Sequence, residues 1–430
     1  MARIKVALRT LGCRANQYDT ELMKERLGGR FKLVSPEEEA DIYIVNTCTV
    51  TARAEAKARQ YIRHYARRGL VLVTGCWATV APQEVAAVAG TSLIFNNAAK
   101  LRVHDLVKET LAGRRGIFNP ALDGNLDRER ISFDLAHSRA FVKIQDGCDR
   151  FCTFCRTIQA RGRPRSKSPE AVLAEVKALV KNGFVEVVLT GINLAEYGKD
   201  NGASLAGLLW RLAELPGLRR IRLSSINSAG VTRPLVEFFR ANEKACPYFH
   251  LPLQSGDDLV LRRMNRGYTA DEYREKVELI RENVPKATFG ADVLVGFPGE
   301  REEQFQRTYR LIEEVGFLRL HVFRYSPRPG TPAAHFPDQV SEGIKIERAR
   351  RLRELGERLG RGVKREYLGR RLRVLVEGQA ADGFWHGWSE NYIDVHIDGP
   401  GRELRPGELV EVEVLELSGG HLIAISKSRP

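Results

Sequence analysis

Cys148, Cys152 and Cys155 fall within eight positions of one another in GCDRFCTFC, residues 147–155. Thiols at i, i+4 and i+7 share a face if the segment is helical, so a buried helix stripe is one reading. Gly147 and Asp149 disfavour helix, and the triplet follows a strand-like run, where a loop is expected. A disulfide framework fits poorly, because seven cysteines are an odd number. The opening MARIKVALRTLGC also alternates like a strand and lacks the apolar core of a secretory leader, which predicts a reducing, cytoplasmic setting. A zinc site wants a fourth ligand, and neither a histidine pair nor another close cysteine supplies one. Three thiolates on a four-iron cluster leave one iron open, and an open iron binds a substrate or cofactor instead of only passing electrons.

Whatever the triplet holds, regular elements must position it. Between residues 1 and about 100, the apolar runs IKVAL, DIYIV and LVLV alternate with helical spacing at 15–27 and 52–67, which predicts an open parallel α/β sheet. Each run leads to a cysteine: Cys13, Cys48 and Cys76. Loops after strand C-termini gather on one edge of such a sheet, so these three thiols are expected to converge. Three unrelated buried thiols would explain each position singly, but not their shared place in successive units.

Residues 112–138 are charged and less periodic, and read as a linker. Six strand-like runs follow, AFVKI, EVVLT, RIRLS, YFHLPL, ATFGADVLV and RLHVFRY, alternating with amphipathic helices. A full eightfold barrel typically takes about 250 residues, so six units predict a partial (β/α)6 barrel of the TIM type. Its mouth gathers Asp146–Cys155, Gly191–Asn193, Ser224 with Ser225, Gln254–Gly256, Gly296–Glu300 and Ser326–Thr331. A basic helical connector, KIERARRLRELGERLGRGVKREYLGRR, leads to four short alternating runs with glycine-rich turns, expected to form a small antiparallel β-barrel. In it, Phe384, Trp385, Trp388 and Tyr392 offer either stacking faces for bases or filling for the barrel's own core. The expected domains are 1–125, 135–365 and 366–430.

The net charge of +14 in 430 residues favours a polyanionic partner, although a basic enzyme with no nucleic-acid partner shows the same excess. Hydrophobic residues at 43% and charged residues at 28% argue against pervasive disorder, and no apolar run is long enough to span a membrane. RGRPRSK, residues 161–167, is a candidate phosphate grip beside the reactive loop, weighed against a plain solvated loop. GFPGE lacks the Gly-Lys-Ser/Thr ending of a phosphate loop and reads as a strand-to-helix turn. Zinc-protease histidine spacing and a Gly-x-Ser-x-Gly elbow are both absent from the sequence.

The C-x-x-x-C-x-x-C spacing after the first strand of a partial barrel resembles the radical S-adenosylmethionine superfamily. The whole chain is similar to the methylthiotransferase family, in TLGCRANQYDTE, VNTCTVT, VTGC, KIQDGCDRFCTFC, ARGRPRS, LTGINL, RLSSI, PLQSG, MNRGYT, VGFPGE and YSPRPGTPA. NQYDTE, KIQDGCDRFCTFC and LTGINL point to its MtaB-like branch. That resemblance implies two 4Fe-4S clusters, one on Cys148, Cys152 and Cys155 and one on Cys13, Cys48 and Cys76, which leaves Cys246 as a buried structural thiol. It further implies two uses of S-adenosyl-L-methionine: one molecule methylates the sulfur carried by the second cluster, and another yields a 5′-deoxyadenosyl radical at the first. The C-terminal barrel is similar to the RNA-binding TRAM domain, and the implied substrate is tRNA carrying N6-threonylcarbamoyladenosine at position 37, methylthiolated at carbon 2.

An electron donor and a sulfur donor are required partners. Gly191, Asn193, Ser224, Gln254 and Asp292 are candidate contacts for S-adenosyl-L-methionine, since they lie at or near strand ends; the polar ones serve equally well as helix caps or loop partners. Two stretches depart from the family pattern. RTIQ follows Cys155 where relatives carry an apolar run with proline, and SSINS replaces a Glu-Pro continuation, so Arg156, Gln159, Asn227 and Ser228 bear on cofactor or substrate contacts. The competing substrates are isopentenyl-modified adenosine and an aspartate of a ribosomal protein. The competing class is a non-enzymatic iron-sulfur RNA-binding protein.

Overall fold

The computed structural model describes residues 3–122, 124–134, 137–380, 383–398 and 403–426. The first six strands, β1 (Lys5–Thr10), β2 (Lys32–Val34), β3 (Ile42–Thr47), β4 (Leu70–Gly75), β5 (Thr91–Phe95) and β6 (Gly116–Phe118), form one parallel sheet in the order β2-β1-β3-β4-β5-β6. Helices α1 (Arg14–Leu27) and α2 (Ala52–Tyr65) follow β1 and β3. Ile42 and Ile44 of β3 pack with Leu8, Leu72 and Phe95, whereas Tyr43 and Val45 pack with Ile62, Val73 and Trp77. Burial on both faces is why this strand reads as an unbroken apolar run instead of alternating. Part of the expected linker departs from that reading. Gly116–Phe118 adds an edge strand to the sheet, and Leu126–Arg128 forms a 3-10 turn capped by Asn125. A three-residue strand is too short to leave a periodic trace.

All six expected barrel runs are strands: β7 (Ala140–Lys143), β10 (Glu186–Thr190), β11 (Arg220–Leu223), β12 (Tyr248–His250), β13 (Thr288–Val295) and β14 (Arg319–Arg324). Between β7 and β10, a two-residue ribbon, β8 (Gln145–Asp146) with β9 (Arg165–Ser166), brackets the cysteine loop. The sheets β7-β10-β11 and β12-β13-β14 are parallel throughout, and isolated bridges Ile221/Ala245 and Ser225/His250 join β11 to β12. Among the described residues β7 does not pair with β14, so the wall stays open there. Helix α1 lies against β7 beside that opening. The basic connector is a helix, Glu342–Arg365, packed against β14.

The last domain is a closed barrel of β15 (Arg371–Gln379), β16 (Trp385–Ser389), β17 (Asp394–Asp398), β18 (Leu409–Ser418) and β19 (His421–Ser426), in the order β15-β16-β17-β19-β18. Two expectations are corrected here. A fifth strand, β16, joins the four, and β17 pairs with β19 in parallel. WHGWS, with its central glycine, carries no alternating apolar signature, so the strand is invisible to periodicity. Trp388 and Tyr392, moreover, are not free platforms. Their rings stack on each other at 4.8 Å, and Tyr392 meets Tyr248 at 4.8 Å. Arg220 Nη1 donates to Trp388 O (3.2 Å), Arg222 Nη2 to Ser389 O (3.0 Å), and Thr288 Oγ1 to Asn391 O (2.7 Å). Thr288, Arg220 and Tyr248 begin their strands, so the small barrel seats against the N-terminal floor of the large one.

Candidate active site

The loop 147–155 is held in place by its backbone. Gly147 has φ 79°, and a Cβ there would come within 2.0 Å of Arg163 O, so only glycine permits this approach. Cys148 N donates to Gly162 O (3.2 Å), Thr153 N to Met264 O (3.1 Å), and Asn265 Nδ2 to the carbonyls of Arg150 and Phe151 (3.2 Å each). Arg266 Nη1 lies 3.3 Å from Cys152 Sγ as a donor, and the Cys155 thiol donates to Thr157 Oγ1 (2.9 Å). Burial pushes Cys148 up to about 11 and raises Cys155 as well. As bare thiols both are protonated at neutral pH, and binding a metal ion releases those protons.

Cys13, Cys48 and Cys76 lie just beyond the C-terminal ends of β1, β3 and β4, and the fold brings them together. Gly12, at φ 105°, sits so close that a Cβ would lie 2.9 Å from Cys48 Cβ. Burial, reinforced by Cys76 and Cys13, pushes Cys48 up to about 12. Asn16 Nδ2 donates to Leu11 O (2.7 Å) and Thr47 O (3.0 Å), bracing two of the three strand ends, and Asn97 Nδ2 points at Cys76 Sγ from 3.9 Å. Among the described residues, neither cysteine triplet brings its three sulfurs within 4.8 Å of one another. Four Zn–S bonds of about 2.3 Å need sulfurs about 3.8 Å apart. Three free thiols with no fourth protein ligand among the described residues are instead the donor set of a four-iron centre that keeps one iron open, and the residues present fit one.

Arg161 links the sheet domain to the barrel. It is buried, its Nη1 bonds Asp146 Oδ2 (2.9 Å) and its Nη2 bonds Asp19 Oδ2 (2.9 Å). Asp19 also takes Lys100 Nζ and Lys143 Nζ at 2.6 Å each. Burial pushes the Asp19 carboxyl up, but Lys100, Lys143 and Arg161 together hold it well below the carboxylate range. Burial lowers Arg161, yet Asp146 and Asp19, followed by Cys76 and Cys13, raise it well above its ordinary value. A second seam runs from Glu55 on α2 to Arg328 and, at 3.7 Å, to Arg156.

The phosphate-grip reading of 161–167 is corrected at both its ends. Arg161 is consumed by Asp146 and Asp19, and Lys167 is fully buried on Glu175 and 3.0 Å from Tyr18 Oη. Sequence reasoning missed this network, because Lys100 carries no motif and Asp19, although inside NQYDTE, has no local pattern that marks it as a buried ion-pair partner. Of the RTIQ departure, Arg156 Nη1 reaches Thr49 Oγ1 (3.3 Å) and Gln159 Nε2 reaches Gly330 O (3.2 Å), so both tie the reactive loop to neighbouring loops. Asn227 caps the turn Ser228–Gly230.

The five expected cofactor contacts divide. Gly191 abuts Gln145, whose Oε1 accepts from Ile192 N (3.0 Å) and Asn193 N (2.8 Å). Asn193 Oδ1 caps a short turn through Ala195 N. Ser224 Oγ is buried and has no partner among the described residues. Gln254 holds a left-handed φ of 63°, costing about 1–3 kcal/mol for a residue with a side chain. Asp292 sits below the mouth, between two histidines. Cys246 is buried and accepts from Arg220 Nε (3.4 Å).

Comparison with known proteins bears on this geometry. Residues 142–312 match the Radical SAM superfamily, 5–96 the Uncharacterized protein family UPF0004, and 365–425 the TRAM domain. The threonylcarbamoyladenosine tRNA methylthiotransferase MtaB of Aquifex aeolicus is 40% identical over 408 residues, covering 92% of this chain and 97% of that protein. The chain belongs to the radical SAM methylthiotransferase family. The Bacillus subtilis MtaB is 36% identical over 96% of this methylthiotransferase and 94% of its own length. A tRNA-2-methylthio-N(6)-dimethylallyladenosine synthase of Thermotoga petrophila is 36% identical, with 96% and 95% covered. Among solved structures, the radical S-adenosylmethionine methyltransferase TsrM of Kitasatospora setae shares the fold with a TM-score of 0.59 at 15% identity, over 77% of this chain and 75% of that one. No helix among the described residues is long and apolar enough to cross a membrane.

Proposed function

We propose that this methylthiotransferase adds a methylthio group to carbon 2 of N6-threonylcarbamoyladenosine at position 37 of tRNA. The observation that carries the proposal is that the sheet domain bearing one three-cysteine set is tied to the barrel bearing the other through Arg161, which bonds Asp146, two residues before Cys148, and Asp19 on α1, and whose charge is also acted on by Cys76 and Cys13. Cys148, Cys152 and Cys155 hold one 4Fe-4S cluster, and Cys13, Cys48 and Cys76 hold the other. When bound, the clusters and S-adenosyl-L-methionine supply reductive cleavage of the sulfonium and a sulfur for transfer.

The chain's own residues do the rest. Arg266 places a fixed positive charge on Cys152, a hydrogen bond of the kind that tunes cluster potential. The unpartnered Ser224 Oγ and the strained Gln254 are assigned to S-adenosyl-L-methionine, with Gly191 and Asn193 shaping the adjacent wall. The excess of basic residues and the TRAM domain serve tRNA, which is consistent with a cytoplasmic enzyme. A reduced electron donor and a sulfur donor complete the partners.

The test is anaerobic turnover of tRNA bearing N6-threonylcarbamoyladenosine, read by nucleoside mass spectrometry and by 5′-deoxyadenosine release. Cys152→Ala is expected to abolish cleavage, whereas Cys48→Ala keeps cleavage and loses sulfur insertion. Equal loss of cleavage in both variants would refute separate sites.

A further inference from the structure

Below the mouth, β12, β13 and β14 turn a row of polar side chains into the barrel lumen. Asp292 and His321 are register partners on adjacent strands. Asp292 Oδ1 lies 3.2 Å from His250 Nε2 and 3.2 Å from His321 Nδ1, and Tyr248 Oη lies 3.3 Å from His250 Nδ1. One carboxylate oxygen thus serves both imidazoles, and Asp292 Oδ2 makes no hydrogen bond among the described residues. The row is closed at the His250 end, which is buried, and open at His321, whose side chain is 53% exposed.

The floor beneath the row is cationic. The Arg319 guanidinium lies 4.3 Å over Trp388 and 4.6 Å over Tyr392. Among the described residues Arg319 has no hydrogen bond or carboxylate partner; Asp394 acts on it only from beyond ion-pair distance. Arg14, next to Cys13, donates from Nη2 to Tyr392 Oη (2.9 Å) and has no carboxylate within 4 Å among the described residues. Arg222 by contrast is paired with Glu186 (2.9 Å), which it shares with Arg220 (3.0 Å), and Arg139 has Glu377 at 3.7 Å. A partly desolvated cation without a counter-charge is costly, and an anion arriving with the ligand offsets that cost.

We propose that the lower lumen is a binding site for a carboxylate-bearing substituent of the target base. Arg319, with Arg14 behind it, takes the carboxylate, while Asp292 and His321 take a hydroxyl and an amide N–H. The assignment rests on the methylthiotransferase reading above, and it says how this chain tells its base from one with an apolar substituent. A threonylcarbamoyl group carries a carboxylate, a hydroxyl and amide N–H groups; a dimethylallyl group has nothing to offer Arg319 or Asp292. The site also moves Asp292 from the cofactor to the substrate.

The experiment measures binding first, so that it does not depend on chemistry. Reconstituted full-length protein without S-adenosyl-L-methionine is titrated with anticodon stem-loops whose N6-threonylcarbamoyladenosine is either the free acid or its methyl ester. The acid is expected to bind at least about tenfold more tightly, as befits a charge-assisted contact. Arg319→Gln should bring the ratio to within about twofold, and Arg319→Lys should restore part of it. Equal binding of acid and ester by the unaltered protein, or an unchanged ratio in Arg319→Gln, overturns the site. A preserved ratio with no methylthio product on addition of S-adenosyl-L-methionine and reductant leaves the site standing and refutes the proposed function instead.

Discussion

Replacing Asp19 with asparagine tests whether buried charges weld the two cysteine-bearing domains together. Three cations, Lys100, Lys143 and Arg161, face three carboxylates, Asp19, Asp146 and Glu129. All are at most 4% exposed at the side chain, save Glu129 at 15%. The set is neutral as it stands, and Asp19→Asn leaves one uncompensated positive charge in it. Breaking a buried pair by removing one partner costs about 3–5 kcal/mol, chiefly because the remaining charge stays desolvated. Asp19 serves three cations at once, so the upper end of that range is expected.

The assay is a double-mutant cycle in urea, with Asp19→Asn, Arg161→Met and both together in the full-length chain, following the first unfolding transition. The double variant should be less damaged than the sum of the singles, with a coupling of at least about 1.5 kcal/mol, since removing Arg161 takes away part of the charge that Asp19 compensates. Additivity within about 0.5 kcal/mol would refute the reasoning. The Asp19 carboxyl is held far below its unfolded value, so its contribution is present at neutral pH and is lost as the solution is acidified below the ordinary carboxylate range.

Gly12→Ala forces a Cβ at φ 105° to within 2.9 Å of Cys48 Cβ; the variant should assemble roughly half of the wild-type iron and sulfide, counted on two clusters, and full retention would contradict the assignment of Cys48. Glu300 gives a pH signature. Burial pushes its carboxyl up to about 7 from 4.5, although Gly296 N and Arg348 oppose the shift. Between those values the folded chain holds a proton that the unfolded chain has released, so the unfolding free energy falls as pH rises through that window, by about 3 kcal/mol at most. Glu300→Gln should flatten that slope in denaturation curves between pH 5 and 8, and an unaltered slope would count against the buried carboxyl as its source.

Periodicity and cysteine spacing exposed most of this architecture because strand ends and thiols coincide: the positions of Cys13, Cys48 and Cys76 after apolar runs already placed them on one sheet edge. The barrel strands were legible as short strand-like runs between amphipathic helices, β7 and β10–β13 being almost wholly buried and β14 half-buried to exposed. What stayed hidden was short or purely tertiary. Gly116–Phe118 and WHGWS are strands only because a neighbour offers an unpaired edge. The Arg161 network joins residues 142 positions apart in the chain, and no local pattern distinguishes a buried arginine in RGRPRSK from a solvated one. Trp388 and Tyr392 misled for a related reason. Composition shows that rings are present, but only the packed structure shows that arginines and Tyr248 already cover them.

The ionic seam also constrains how such proteins can be recombined. Asp19 and Lys100 belong to the amino-terminal sheet domain, while Lys143, Asp146 and Arg161 belong to the barrel, so the balance of charge is split across a boundary that a domain swap would cut. A chimera that imports one side from a relative with a different tally inherits a stranded ion at the joint. Hybrids built along this junction should therefore fold only when both halves of the ledger travel together.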